Sequence, residues 1–546
     1  MDRTKRNIWL LVLVSAVFLS LPWLVKGTSV LVLVGFVPLL WAEMMADKAG
    51  IRRFFIYHYA TFVLWNAFTT FWVWNATPAG SVFAILANAL QMSAIFALYR
   101  LSKKRFSGAL PYIFLAAAWI AWERWYLTTS QISWPWLALG NAFAKDISLV
   151  QWYEYTGHLG GSVWVWACNL AVFGMLKALS QGRWALWNKH ARRFSVTGLA
   201  LLLVCPIAFS EYLFASYKEE SDPLDVLIVQ PNIDPYHKFE AWSQSRQNAF
   251  LESQIREALS TRKDSSALLV LAPETFTSDV VENEVDSSAT FRRFVRLMRD
   301  YPGANMIFGA SSREYIASAK APSHTALSIG KGVWQESHNI AIITDGTGRR
   351  ELFHKSKLVV GVEMLPYPAV FAKIDTWIGS LMGMRGVMGR DVGQKEISCL
   401  TFTGADRTEP LGCAVCYESI YGEYCTGYVR KGARALCVIT NDAWWGDTPG
   451  YRQHLTYSSL RAIETRRDIA RCGNTGVSAF IDQKGRILSR TPWWEPATLS
   501  GSINLCDKET FFVRYGDIAG RISVLVFILL SLLLLVKFIV PKGEIK

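Results

Sequence analysis

The sequence predicts a multi-pass α-helical membrane domain, an α/β layered domain after it, and a closing membrane helix. Three observations predict this. Of the 546 residues, 51% are hydrophobic and 23 are Trp, a composition far more apolar than that of a soluble chain. Long apolar runs fill the N-terminal part and recur near the C-terminus, whereas charged and turn-forming residues crowd into roughly 218–515. Inside that polar stretch, short apolar runs alternate with amphipathic ones, the pattern of layered α/β domains. The expected division is 1–217 for seven spans, 218–515 for the polar domain, and 516–546 for the last span and its tail.

The apolar segments come first. They lie at roughly 8–25, 28–46, 54–77, 81–101, 110–127, 160–179 and 196–216, with an eighth at 519–541. Most approach the ~20 residues that cross a bilayer. Arg3, Lys5 and Arg6 precede the first segment, and no small-residue cleavage site follows it, so it reads as an uncleaved anchor. Basic clusters then follow every second span: Lys48, Arg52 and Arg53; Arg100, Lys103, Lys104 and Arg105; Arg183, Lys189, Arg192 and Arg193. Positive loops stay cytoplasmic, which predicts cytoplasmic termini and an external polar domain. The formal charge of +13 sits largely in these loops, so it points to a membrane and not to nucleic acid. The outer loop holding Trp134, Pro135 and Trp136 has the indole chemistry of a membrane interface, either as an anchor or as part of a lipid entry site.

In the polar domain, strands are expected at 225–230, 267–272, 305–309, 325–329, 340–344, 411–415, 435–440, 478–481 and 486–488. Helices are expected at 242–260, 288–300 and 452–464. No repeat, phosphate-binding loop or dinucleotide fingerprint is present. Three reactive residues are placed as if at the ends of strands. Glu274 follows the apolar run Leu268–Pro273, Cys416 follows the apolar run Leu411–Val415, and Lys355 lies between them in His354-Lys355-Ser356-Lys357-Leu358. A Cys nucleophile needs a proton acceptor and a donor for the developing oxyanion. Glu274 supplies the first and Lys355 the second, helped by a backbone N–H just after Cys416. Each residue alone is unremarkable; the ordered trio is specific. Seven of the nine Cys lie in this domain. Cys413 and Cys416 are spaced as a redox or zinc pair, but no second such pair and no close His pair accompanies them, so no metal and no cofactor is expected.

These motifs resemble the nitrilase superfamily, and within it the apolipoprotein N-acyltransferases, over nearly the whole chain. The resemblance rests on Trp134-Pro135-Trp136, Gln230-Pro231-Asn232, Pro273-Glu274, Lys355 with Leu358 and Glu363, and Cys416-Tyr417-Glu418. It rests also on Asn441-Asp442-Ala443-Trp444-Trp445-Gly446, Arg461 with Glu464, and Gly473-Asn474-Thr475-Gly476. Two features depart from the pattern. Val360-Gly361-Val362 replaces the usual Pro-Phe-Gly before Glu363, and the usual Trp after the first strand is absent, leaving Phe239 or Trp242 in its place. Lys357 competes with Lys355, and the offsets to Leu358 and Glu363 favour Lys355.

The resemblance implies an αββα sandwich outside a bacterial inner membrane, in the periplasm. It implies transfer of a fatty acyl chain from a phospholipid, through a Cys416 thioester, to the α-amino group of a diacylated lipoprotein. Glu274 acts as base, and Glu363, Tyr417, Glu418 and Asn441 act as supporting residues. The apolar, Gly-, Pro- and Met-rich segment from Met364 to Met384 is expected to be a mobile arm. Phe371 and Trp377 there, and Trp444 and Trp445 nearby, are expected to meet lipid. The rival readings are a membrane-tethered amidase acting on small amides, an inactive receptor-like ectodomain, and a transporter.

Overall fold

The structure is a computed structural model that describes residues 3–540, apart from 236–237, 239–241, 262–266, 382–383 and 385–386. It divides into two compact units. One holds 1–130, 134–217 and 515–546; the other holds 131–133 and 218–514.

The helical unit contains Arg3–Leu24, Val37–Lys48, Phe55–Thr70, Pro78–Ser102, Leu110–Thr128, Tyr153–Ser180, Lys189–Ser216 and Ile518–Ile539. Among the described residues, six of its segments are long and apolar enough to cross a membrane. The two expected spans that miss are Phe55–Thr70, which has only 16 residues, and Leu110–Thr128. The latter carries Glu123 and Arg124 and three Trp. Its charges are matched within the unit: Glu123 accepts from Trp119 Nε1 at 3.0 Å and from Leu139 N at 2.9 Å, and Arg124 pairs with Asp517 at 2.7 Å. Ile518–Ile539 leaves Leu525, Leu529 and Leu532 exposed, as a lipid-facing helix does.

The second unit is a two-sheet sandwich. Its strands are β1 (Pro223–Gln230), β2 (Leu268–Leu271), β3 (Thr277–Val281), β4 (Ala304–Ala317), β5 (Leu327–Gly330), β6 (Val333–Asp345), β7 (Arg350–His354), β8 (Leu400–Thr403), β9 (Thr408–Val415), β10 (Ala435–Thr440), β11 (Ile469–Gly473), β12 (Ala479–Ile481), β13 (Ile487–Arg490) and β14 (Ala497–Asn504). One sheet runs β14-β1-β2-β4-β6-β5, with β3 on β4 and β7 on β6. The other runs β13-β12-β11-β10-β9-β8.

The apolar runs are continuous because both faces of the strands are buried. Leu224, Val226 and Ile228 of β1, with Leu269 and Leu271 of β2, join the core that also takes Leu411 and Val415 of β9 and Val438 of β10. The alternate residues, Leu227, Val229, Leu268 and Val270, join a second core with Leu251 and Ile255 of the Gln244–Ala258 helix and Phe291 and Phe294 of the Ala289–Arg299 helix. Helices Gly422–Arg430 and Pro449–Thr465 pack on the second sheet. The layers are helix, sheet, sheet, helix.

Three expectations change. Sequence reading missed β3, β7, β8, β11 and β14. It also took only fragments of β4 and β6, whose distal halves are half-exposed and polar. The segment after Lys355 is not a simple loop. Pro368–Leu381 is a helix that exposes Val370, Ile374 and Trp377 along one side. Pro368 at its first position suits a helix start. Asp375, on the buried side of this helix, accepts from Val387 N and Met388 N at 2.9 Å each.

Candidate active site

Glu274 lies just beyond β2, and its loop is set by a close approach. Pro273 O accepts from Gly309 N at 3.1 Å and Gly309 O accepts from Phe276 N at 2.8 Å. A Cβ at Gly309 would stand 2.6 Å from Glu274 Cα, so only Gly lets β4 pass this close to the turn after β2. Lys355 follows β7, and its N–H donates to Asn339 O on β6 at 2.8 Å. Cys416 directly follows β9 with φ +52°, a left-handed conformation that costs a non-Gly residue about 1–2 kcal/mol and turns the chain sharply out of the strand into a short 3₁₀ turn.

These elements bring two carboxylates onto one ammonium. Lys355 Nζ is 3.0 Å from Glu274 Oε1 and 2.7 Å from Glu363 Oε1. Asn339 Nδ2 donates to the same two oxygens at 2.8 and 2.9 Å. Glu363 uses its other oxygen to accept from Val359 N at 2.7 Å, which closes the turn despite the Val360-Gly361-Val362 departure. Burial works against the charge of Lys355, but Glu274, Glu363 and Cys416 outweigh it and hold the ammonium well above the usual lysine range. Burial pushes the Cys416 thiol well up, the Glu274 carboxylate adds to the effect, and Lys355 opposes it. The cluster of two carboxylates and one ammonium therefore favours a thiol beside a charged acceptor over a resting thiolate. Lys357 stands apart, over the rings of Tyr421 and Tyr424 at 5.2 and 5.8 Å.

Glu418 ties the two loops together. One carboxylate oxygen accepts from Ser356 N at 2.7 Å, Lys357 N at 3.3 Å and Tyr424 OH at 2.7 Å. The other accepts from Val415 N at 2.8 Å and Tyr428 OH at 3.3 Å. Tyr417 OH donates to Ser133 O at 2.9 Å. Asn441 accepts from Asn474 Nδ2 at 3.2 Å. Beneath Cys416 lies a fully buried network: Arg471 Nη2 reaches Asp442 Oδ2 at 2.6 Å, and His454 Nδ1 reaches Asp442 Oδ1 at 2.8 Å. His454 Nε2 sits 3.2 Å from the Cys416 carbonyl. Burial alone would raise the Asp442 carboxyl, but His454 and Arg471 hold it down to about 2. The ligand atoms of Cys416, Asp442 and His454 lie within 4.8 Å of one another, yet Arg471, Thr440 and His454 already engage the Asp442 carboxylate.

Sequence reading missed Asn339, Gly309, His454 and Lys238. Lys238 is buried, donates to the Thr275 carbonyl, and is drawn down to about 8 by burial, against the pull of Glu274. None of the four carries a signal in the sequence that would single it out. Among the expected lipid contacts, Trp377 and Trp444 are exposed and Phe371 and Trp445 are half-buried. Trp136 is fully buried in the helical unit, 4.8 Å from Trp72, and Trp134 stacks on it at 5.5 Å. Trp136 therefore packs inside that unit and does not face outward. Phe239 lies outside the described residues. All nine Cys are free thiols.

A Cys just past a strand end and a buried Lys held between two carboxylates thus come together in an αββα sandwich. Residues 226–509 match the carbon-nitrogen hydrolase family, and residues 15–171 match the apolipoprotein N-acyltransferase N-terminal domain. The chain is 26% identical over 504 residues to a Chlorobaculum tepidum protein named apolipoprotein N-acyltransferase, covering 90% of this chain and 89% of that one. A Geobacter metallireducens protein of the same name is 26% identical over 527 residues, covering 95% and 93%. Among solved structures, Saccharomyces cerevisiae Nit3 of the nitrilase superfamily aligns at 16% identity and TM-score 0.35, covering 53% of this chain and 92% of Nit3. The chain belongs to the carbon-nitrogen hydrolase family, in its apolipoprotein N-acyltransferase branch.

Proposed function

We propose that the protein moves a fatty acyl chain from a phospholipid to the α-amino group of a diacylated lipoprotein by a two-step thioester route. The observation that carries the reading is the Lys355 ammonium bonded at once to Glu274 and Glu363 beside Cys416. Glu274 takes the thiol proton as Cys416 Sγ attacks the ester carbonyl. Lys355 then stabilises the oxyanion, together with a backbone N–H after Cys416. The C–O bond breaks and Glu274 returns the proton to the leaving lysophospholipid oxygen. In the second step the acceptor amine attacks the thioester and Glu274 takes its proton. The C–S bond then breaks, the thiol regains the proton, and an amide is formed. No redox step or nucleotide is involved, because the donor is already an ester.

Glu363 and Asn339 position Lys355 and Glu274, and Glu418 positions the nucleophile turn. The exposed side of the Pro368–Leu381 helix, with Trp377 and the half-buried Phe371, is read as the surface that meets acyl chains. The basic loops support an external catalytic domain with both termini cytoplasmic, and the family supports reading the outer side as the periplasm of a two-membrane bacterium. A reporter fused after Asp222 that is active only outside the cytoplasm is the expected result; cytoplasmic activity sinks that orientation.

Intact mass of the detergent-purified chain after incubation with phospholipid alone tests the chemistry. A fatty-acyl gain, labile to hydroxylamine and absent in Cys416→Ala, is expected. A Phe371→Ser/Trp377→Ser variant is expected to acylate at least about 10-fold more slowly, because two aromatic rings no longer bury apolar surface against the acyl chain. No gain, with turnover of small amides instead, moves the reading to an amidase.

A further inference from the structure

Away from Lys355, on the opposite face of the same strands, a second cluster has no part in acyl transfer. The β4–β6 register sets Ser312 opposite His338 and Glu314 opposite Glu336, and the β6–β7 register sets Ile340 opposite His354. Side chains alternate along a strand, so Ser312, Glu314, Glu336, His338 and His354 share one face. Asn339, which holds Glu274 and Glu363, is on the other. Glu282, just after β3, closes the cluster. We infer that His338, His354 and Glu282 form a binding site for a divalent transition-metal ion, with zinc as the ion that suits the set.

Three features support this. The ligand atoms of the three residues already lie within 4.8 Å of one another. Zinc–ligand bonds of about 2.0–2.2 Å in a tetrahedron separate ligand atoms by roughly 3.4 Å, so the His354–Glu282 pair, 2.7 Å apart, opens by a fraction of an ångström and only small side-chain movements are needed. The outer hydrogen bonds are those of metal ligands. His338 Nδ1 donates to Val392 O at 2.8 Å, which leaves Nε2 as the ligand nitrogen, and Ser312 Oγ fixes Glu282 Oε1 at 2.6 Å. Most telling, His338 is 94% buried, and its Nε2 makes no hydrogen bond among the described residues. Its nearest acidic oxygen is Glu314 Oε2 at 3.6 Å, placed as a fourth ligand. Proton-based pairing accounts for His354 and Glu282, whose Nε2 and Oε2 are 2.7 Å apart, but it leaves the buried His338 nitrogen facing the cluster unused. Two imidazoles with carboxylates select zinc and its neighbours over magnesium or calcium.

The ion would be structural. It clips β6 to β7 immediately before Lys355, and through Val392 it fixes the returning end of the segment that carries the Pro368–Leu381 helix.

The test uses the full chain in detergent, stripped with a chelator, exposed to zinc, and assayed for bound metal. Wild type and Cys416→Ala are expected to hold one zinc per chain, and zinc is expected to raise their unfolding midpoints. His338→Ala and His354→Ala are expected to lose both effects. Cobalt(II) bound to the wild type is expected to show visible d–d bands without a thiolate charge-transfer band. That readout needs no variant to fold. The inference is overturned if stripped wild type takes up no zinc, if both His variants keep it, or if cobalt shows a thiolate band, which would assign the ion to Cys416.

Discussion

Lys355→Met is expected to abolish acyl-enzyme formation and to destabilise the α/β unit by about 3–5 kcal/mol. The lysine is 1% exposed, with Glu274 and Glu363 on its Nζ. Removing it leaves two carboxylates sharing the Asn339 amide in a dry site, and like charges that close cannot both stay ionised. One takes up a proton. If it is Glu274, the base is lost as well as the oxyanion donor, so the rate falls by at least about 10³-fold, the upper end for removing a single donor. Adding Glu363→Gln to Lys355→Met is expected to recover part of the stability and none of the rate, which separates charge burial from chemistry. Lys357→Met is the control: its cation lies over tyrosine rings, and it is expected to change the rate only a few-fold. A Lys355→Met protein that still acquires a thioester at near wild-type rate would remove this lysine from the mechanism. Hydroxylamine-labile mass gain against time, with thermal unfolding in the same detergent, reads both quantities.

The parts of this site that were legible in the sequence are those attached to buried strands. Glu274 and Cys416 follow runs whose two faces are both buried, so the runs are continuous and their ends are sharp. Lys355 was harder, because β7 reads Arg350-Glu351-Leu352-Phe353-His354: an edge strand with only Phe353 fully buried carries no apolar run. Asn339 could not be weighed from sequence at all. Its importance comes from β6 pairing with β4 and β7 at once, which places one amide between two distant carboxylates. The Pro368–Leu381 helix shows the opposite failure. Apolar residues at 370, 371, 374, 377, 378 and 381 follow a helical period, but the Gly and Pro around them suggest a loop. Periodicity is the stronger signal there, because Pro368 sits at the first position of the helix and Gly379 in its last turn. The histidines of the second cluster were invisible for a topological reason: His338 and His354 are 16 positions apart, and only the strand register puts them on one face.

Glu418→Gln is the sharper test of how the nucleophile is positioned, because the change is nearly isosteric. Each group bonded to the Glu418 carboxylate is a donor, and a backbone N–H approaches each oxygen: Ser356 N at 2.7 Å on one and Val415 N at 2.8 Å on the other. A glutamine turns one oxygen into an NH₂ group. Whichever way the amide flips, a donor then faces a backbone donor, in a site with no exposure to water. Flipping toward Val415 loosens the strand end that sets the φ +52° turn at Cys416. Flipping toward Ser356 loosens the turn after Lys355. Either loss separates the nucleophile from its charge cluster, and a displacement near 1 Å costs on the order of 10²-fold in rate. The expected outcome is thioester formation slowed by about 10²-fold, with a stability loss of about 1–3 kcal/mol from the unpaired buried donor. Burial raises the Glu418 carboxyl and its donors pull it back. A carboxylate kept for charge alone would therefore be improved by a neutral amide. If Glu418→Gln acylates like wild type and unfolds at the same or a higher temperature, the tie between the two loops has no mechanical role, and the geometry at Cys416 must be held by His454 on its carbonyl instead.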